Sequence, residues 1–294
     1  MLGLKRGTVM LFDHETEWET EAVKTIEKLK SICGNVICDI AHVGSTSIKS
    51  IKAKPIIDIA VAVESFDKVL KHEKQLCDKG FYYRPDCDMD GKQLLFACGS
   101  FYDGTGDEQT HFIHVVKKDS MEWINYINFR DYLNANQDIA KEYEALKISL
   151  AEKNPKDSGR EKYLSGKHDF IVRTLRTALV KSYLGKTVRV EIDRPIGTPH
   201  PKHPEIIYPI NYGYIPNVYG GDGEELDVYI LGIDKRIEEG DSTTVKIIGI
   251  VYRKNDVEDK LAACPEGMNY TAEEIERIIH FQEQFYDSYV EILC

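Results

Sequence analysis

Asp222, Glu224, Glu225 and Asp227 fall within six residues, and Asp256, Glu258 and Asp259 within four. Carboxylates spaced two or three apart beside an extended segment can aim several oxygens at one point. Hard divalent cations such as magnesium prefer oxygen ligands and keep part of their water. Two such ions about 3.5–4 Å apart can clamp the attacking and leaving oxygens of a phosphoryl transfer. Lys260, Lys202 and His200 supply basic groups for phosphate charge. The plainer alternative is that both acidic runs are solvated loop charges, and spacing by itself favours it.

A second constellation lies upstream, where His42-Val-Gly-Ser-Thr-Ser47 is followed by Lys54-Pro-Ile-Ile-Asp-Ile59. Gly44, Ser45 and Ser47 form a polar turn whose backbone N–H groups can meet a phosphate where it opens a helix. Asp58 on the next strand can hold magnesium on that phosphate, with Lys54 beside it. Nucleotidyltransferases use this arrangement, although a Gly-Ser turn is most often only a turn. Side chains two apart on a strand share a face, and the position after Asp58 on its face is Ala60. A two-metal site therefore needs carboxylates from elsewhere. His111 and His114 can contribute, but histidines in a hairpin are more often structural or packed. Arg130 can bind phosphate or pair with Asp131.

These residues must be positioned by the elements around them. Val23, Ile26, Leu29 and Ile32 recur at helical spacing and predict a helix over 20–32. Strands are expected at 35–41 and 56–63, the second a short β-branched run and so buried. A helix follows over 66–79, then a hairpin of strands 93–101 and 111–116. Residues 121–184 read as helices in pieces. Ile139, Tyr143, Leu146 and Leu150 form one stripe, 153–159 is a break, and a last helix covers 161–180. Proline and glycine then become frequent between Pro195 and Gly223. Strands are expected at 188–193, 227–231 and 245–252. Thr271-Ala-Glu-Glu274 is a capping box opening a closing helix to about 285. The domain boundary is placed at Leu184-Gly-Lys186, giving domains 1–183 and 184–294.

The 294 residues, 42% hydrophobic, suffice for two cores. A net charge of −11 argues against DNA and anionic membranes as partners. The seven cysteines include no CxxC pair, which fits reduced thiols in a cytoplasm. No signal peptide or membrane span is expected.

Tyr208-Pro-Ile-Asn-Tyr-Gly-Tyr-Ile215, Asp222-Gly-Glu-Glu-Leu-Asp227, Asp256-Val-Glu-Asp-Lys-Leu261 with Pro265, and Val188-Arg-Val-Glu191 resemble, in order, four segments of the soluble inorganic pyrophosphatases. The resemblance implies a small closed OB-like β-barrel with flanking helices. It also implies magnesium-dependent hydrolysis of pyrophosphate, with manganese as a substitute. It makes Asp222, Asp227, Asp256 and Glu258 metal ligands, with Glu191 near the metals. Glu224 would activate water, Tyr212 would be the phenol beside it, and Lys260 would touch phosphate. Self-association is implied as well. The sequence departs from the family where Glu224 and Glu258 replace aspartates and Glu225 replaces proline. His200-Pro-Lys-His203 stands where a phosphate-gripping lysine, glutamate and arginine are expected, and Phe285-Tyr286 stands in place of tyrosine-lysine. Metal binding is thus better supported than pyrophosphate itself, and the substrate could be a related diphosphate.

Residues 10–180 resemble the GrpB family, whose fold is nucleotidyltransferase-like. The match rests on Trp18, His42–Ser47, Lys54–Ile59, Thr110-His-Phe-Ile-His-Val115, Phe129-Arg-Asp-Tyr132 and Tyr143-Glu-Ala-Leu-Lys147. The expected architecture is α+β, an α/β unit with a mixed sheet followed by the barrel. A nucleoside triphosphate would be the ligand of the first unit and a diphosphate that of the second. The rival reading is a binding module that kept both folds and lost turnover.

Overall fold

The computed structural model describes residues 1–88, 91–153 and 159–293. The chain divides into two compact units, Met1–Leu175 and Arg176–Cys294. The first runs β1 (Leu4–Lys5), α1 (Thr16–Cys33), β2 (Ile37–Val43), β3 (Ile57–Val63), α2 (Phe66–Leu70), α3 (Glu73–Cys77), β4 (Tyr82–Tyr83) and β5 (Gln93–Cys98). It continues through α4 (Ser100–Asp103), β6 (Glu108–Gln109), β7 (His111–Lys117), α5 (Met121–Ala135), α6 (Gln137–Lys153) and α7 (Gly159–Ser165). The division then falls inside α8 (His168–Tyr183).

Five strands of the first unit make a mixed sheet in the order β2-β3-β7-β5-β4, with β3 and β7 parallel. β3 is apolar at every position but Asp58 and lies between two neighbours, as a strand buried on both faces must. α1 packs on the sheet through Trp18, Ala22, Thr25, Leu29 and Cys33. The stripe expected to start at Val23 is rotated: Val23 is 53% exposed and Trp18 only 1%. A buried apolar side chain contributes about 1.5–3 kcal/mol, and Trp18 has more apolar surface to hide, so it sets the helix's rotation.

Three further expectations shift. The helix over 66–79 is two short turns, α2 and α3, parted at His72, whose ring bonds Gln75 as α3 begins. The strand over 93–101 ends at Cys98, and the helical turn α4 follows. The helix over 161–180 is two helices parted at Gly166-Lys167. There α6 comes so near that a Cβ on Gly166 would lie 2.5 Å from Leu150 Cδ2. Residues 154–158, within the expected break at 153–159, lie outside the described residues. Ile139, Tyr143 and Leu146 pack against Ile48, Ile51, Leu133 and Phe170.

The second unit contains β8 (Thr187–Arg194), β9 (Asn211–Tyr219), β10 (Glu225–Ile230), β11 (Ser242–Arg253), β12 (Lys260–Cys264), α9 (Ala272–Glu283) and β13 (Ser288–Ile292). Strands β8, β9, β10, β12 and β11 pair in that order, and β11 pairs back to β8, closing a five-stranded barrel. α9 buries Ile275 and Ile279 against Tyr208, Tyr212, Tyr229 and Val251. Its capping box is complete, with Thr271 and Glu274 each bonded to the other's backbone N–H. Arg176 of α8 bonds within this unit. Its guanidinium donates to both oxygens of Asp259 and to the carbonyls of Asp256 and Arg253. Among the described residues no helix is long and apolar enough to cross a membrane.

Candidate functional site

In the barrel, Tyr212, Asp227 and Lys260 stand on the adjacent strands β9, β10 and β12. Lys260 Nζ donates to Glu258 Oε2 at 2.7 Å, to Tyr212 Oη at 2.8 Å and to Asp227. The lysine side chain is only 3% exposed. Burial alone would lower it, but Asp227 and Glu258 outweigh burial and raise it, so it stays charged. Burial, then the charge of Asp227, drives the Tyr212 phenol well above its usual range. Burial pushes the Glu258 carboxyl up to about 7 against the pull of Lys260, and Asp227 and Asp222 add to the rise.

Glu258 Oε1 is buried with no hydrogen-bond partner. A Cβ placed on Gly220 would lie 3.6 Å from that oxygen and 3.6 Å from Asp222 Oδ1. The glycine thus keeps open a point that two carboxylates face. The other expected residues are placed differently. Asp256 accepts from Arg253 at 3.0 Å, and Glu191 from its cross-strand neighbour Tyr214 at 2.8 Å. Asp222 closes a turn by accepting from the Glu224 amide at 3.0 Å, and the Glu224 side chain is exposed. His200 stacks parallel to Tyr208 and accepts from the Lys202 amide, while Lys202 itself is exposed.

Arg253 went unpredicted. Its buried guanidinium grips both oxygens of Glu283, at 2.6 and 3.0 Å, and lies 3.6 Å from the Tyr286 ring centroid. The one signal in the sequence is its place at the end of a strand just ahead of the second acidic run. Among the described residues no three acidic, histidine or cysteine side chains already stand in metal-ligand geometry. The donors nevertheless fit a hard divalent ion: all are carboxylate oxygens, and Glu258 Oε1 is aimed inward without a partner.

In the first unit, Gly44 (φ 70°) precedes the single 3₁₀ turn Ser45–Ser47. A Cβ on Gly44 would lie 2.4 Å from Asp58 Oδ2, so only glycine lets the turn and β3 meet. Ser47 Oγ donates to the Gly44 carbonyl at 2.7 Å and is spent on the turn. Asp58 Oδ1 meets His114 Nε2 at 3.1 Å. Three residues apart on β7, His111 and His114 face opposite sides of the sheet; His111 meets Thr25 of α1 at 3.2 Å. Burial lowers His42 to about 4, and its Nε2 meets Thr46 Oγ1 at 2.9 Å. Arg130 pairs with Asp131 at 2.7 Å and donates to the His42 carbonyl. Ser45, Lys54 and Asp58 line one cavity of about 230 Å³.

The chain matches the GrpB protein family model over residues 8–177 and the inorganic pyrophosphatase model over residues 180–291. It is 41% identical over 172 residues to the glutamate-rich protein GrpB of Alkalihalophilus pseudofirmus, spanning 58% of this chain and 96% of that one. A crystal structure of GrpB from Enterococcus faecalis superposes with a TM-score of 0.54 at 28% identity, covering 59% of this chain and 99% of that one. An inorganic pyrophosphatase of Xylella fastidiosa is 31% identical over 110 residues, and the match spans 33% of this chain and 58% of that protein's length. Through residues 8–177 the chain belongs to the GrpB family, and it carries a second unit that matches the inorganic pyrophosphatases.

Proposed function

We propose that the barrel hydrolyses inorganic pyrophosphate or a related diphosphate with magnesium, or manganese in its place. The observation that carries this reading is the group of buried Glu258, Tyr212 and Lys260 with half-buried Asp227, and Glu258 Oε1 unpartnered among them. Asp222, Asp227 and Glu258 would hold the ion, with Asp256 and Glu191 as further candidates. A bound ion supplies charge neutralisation and a more acidic water. Lys260 offers a fixed positive charge to phosphate oxygens in a site shielded from water. Tyr212, kept protonated, holds the Lys260 ammonium from one side. Glu224 is the nominated base, on the turn fixed by Asp222.

The test is phosphate release from pyrophosphate by the whole chain with magnesium, beside Asp227→Ala. Release that falls at least a hundredfold in the variant supports the reading. A second reading is a binding module without turnover. It is favoured by one observation: Lys260 is already ion-paired with both inner carboxylates. Tight diphosphate binding with no release in magnesium or manganese would select it. In the GrpB unit we place nucleotidyl transfer, whose pyrophosphate a tethered barrel would destroy at high effective concentration. Nucleotide transfer retained by Asp58→Ala would sink that coupling. The free cysteines, Cys33 to Cys264 among the described residues, fit a cytoplasmic setting for both reactions.

A further inference from the structure

Two turns of the barrel carry three of the candidate ion ligands. Asp222 lies in the turn between β9 and β10, and Asp256 and Glu258 lie in the turn between β11 and β12. One side chain reaches both turns and belongs to neither. The Arg176 guanidinium donates from Nε to Asp259 Oδ2 at 2.8 Å and from Nη2 to Asp259 Oδ1. It also donates from Nη1 to the Asp256 carbonyl at 2.7 Å and from Nη2 to the Arg253 carbonyl at 3.2 Å. Its stem meets the other turn: a Cβ on Gly221 would lie 3.6 Å from Arg176 Cδ and would collide with the Val257 carbonyl oxygen. The two turns therefore touch at Gly221 and Val257, with Arg176 against the junction.

A residue present only to neutralise buried Asp259 would need only its carboxylate. Arg176 spends further donors on two backbone carbonyls, one at the last residue of β11 and one at Asp256 itself. Asp259 accepts from the Arg253 amide at 3.1 Å, which ties the two ends of the turn. Arg253 in its turn holds the Asp256 carboxylate at 3.0 Å. The flat, five-donor fork of arginine can serve a carboxylate and two carbonyls at once, whereas a lysine ammonium is a single point. Groups that orient ion ligands from behind typically change affinity 10–100-fold when they are lost.

We propose that Arg176 is a positioning residue for the ion site of the barrel. It braces the turn of Asp256 and Glu258 against the turn of Asp222, and so sets how tightly a divalent ion is held. The proposal rests on the barrel holding such an ion, and its test separates the two.

Manganese titration of the whole chain without substrate, followed by the electron paramagnetic resonance of the free ion, is that test. Binding that is lost in Asp227→Ala counts as the barrel's. The parent should bind, and Arg176→Met, which keeps the apolar stem, should bind with a dissociation constant roughly 10–100-fold higher. Arg176→Lys keeps a charge beside Asp259 without serving both carbonyls, so it should regain thermal stability but not the parent's affinity. Thr271→Ala, whose hydroxyl is spent on the Glu274 amide at the start of α9, should lose stability and still bind manganese as the parent does. Parental affinity in Arg176→Met or in Arg176→Lys overturns the proposal, and so does an equal loss of affinity in Thr271→Ala. Arg176→Lys carries the test alone if Arg176→Met does not fold. A parent whose barrel binds no manganese overturns the metal-dependent reading of the barrel, and this proposal with it.

Discussion

Lys260 does two jobs that pull against each other. It neutralises Asp227 and Glu258 in a site where bare carboxylates would repel, and it sits where phosphate charge is expected to arrive. Replacing it with methionine leaves two part-buried acids without a cation, a change that costs about 3–5 kcal/mol when one partner of a buried pair is removed. Chemical denaturation of Lys260→Met in EDTA should show a loss of that size. Magnesium should restore more stability to the variant than to the parent if the carboxylates hold an ion. Glu258 gives a pH signature. Its carboxyl is raised in the folded chain from 4.5 to about 7. The folded state therefore holds a proton that the unfolded state has released, and the associated stability is present below pH 4.5 and fades as pH rises to about 7. Denaturation midpoints in EDTA should fall across that window in the parent and fall less in Glu258→Gln. Asp222 and Asp227 stand in one short motif, whereas Lys260 meets Asp227 only because β12 pairs with β10. The pairing of Arg253 with Glu283 was not legible, because it exists only once α9 has docked on the barrel.

At the scale of elements, local chemistry and packing decided different things. The capping box at Thr271 and Glu274 was readable because it needs only four neighbouring residues. Thr271→Ala should destabilise the barrel by about 1 kcal/mol, which thermal unfolding of the second unit would register. The rotation of α1 was misread because periodicity cannot say which of two adjacent stripes has the larger partner surface, and Trp18 decided it. The break at Gly166 was hidden for a similar reason: the glycine is crowded by Leu150 on α6 as well as by the Lys162 carbonyl. Lys167, just past that break, lines the cavity with Lys54 and Asp58, a placement that sequence spacing could not reveal. Gly44 and Asp58 come from two segments read together as one constellation, and their close approach is a finding of the structure.

At the scale of the molecule, the chain reads as two folds in series. The mixed sheet and the closed barrel are what the two family resemblances imply, while the hydrophobic pattern supplied only single strands. α8 looks like one helix that ends a domain, yet Arg176 is bonded to Asp259, which is 5% exposed, and to two carbonyls ahead of β12. A practical rule for anyone cutting or grafting this protein follows from that one side chain. A barrel begun at residue 184 would carry Asp259 as a buried anion with its cation left behind. It should be less stable by about 3–5 kcal/mol than one begun at residue 168, a gap that urea titration of the two fragments would measure. The barrel's portable unit is therefore a barrel plus the helix before it, and a transplant that honours only the strands would arrive one arginine short.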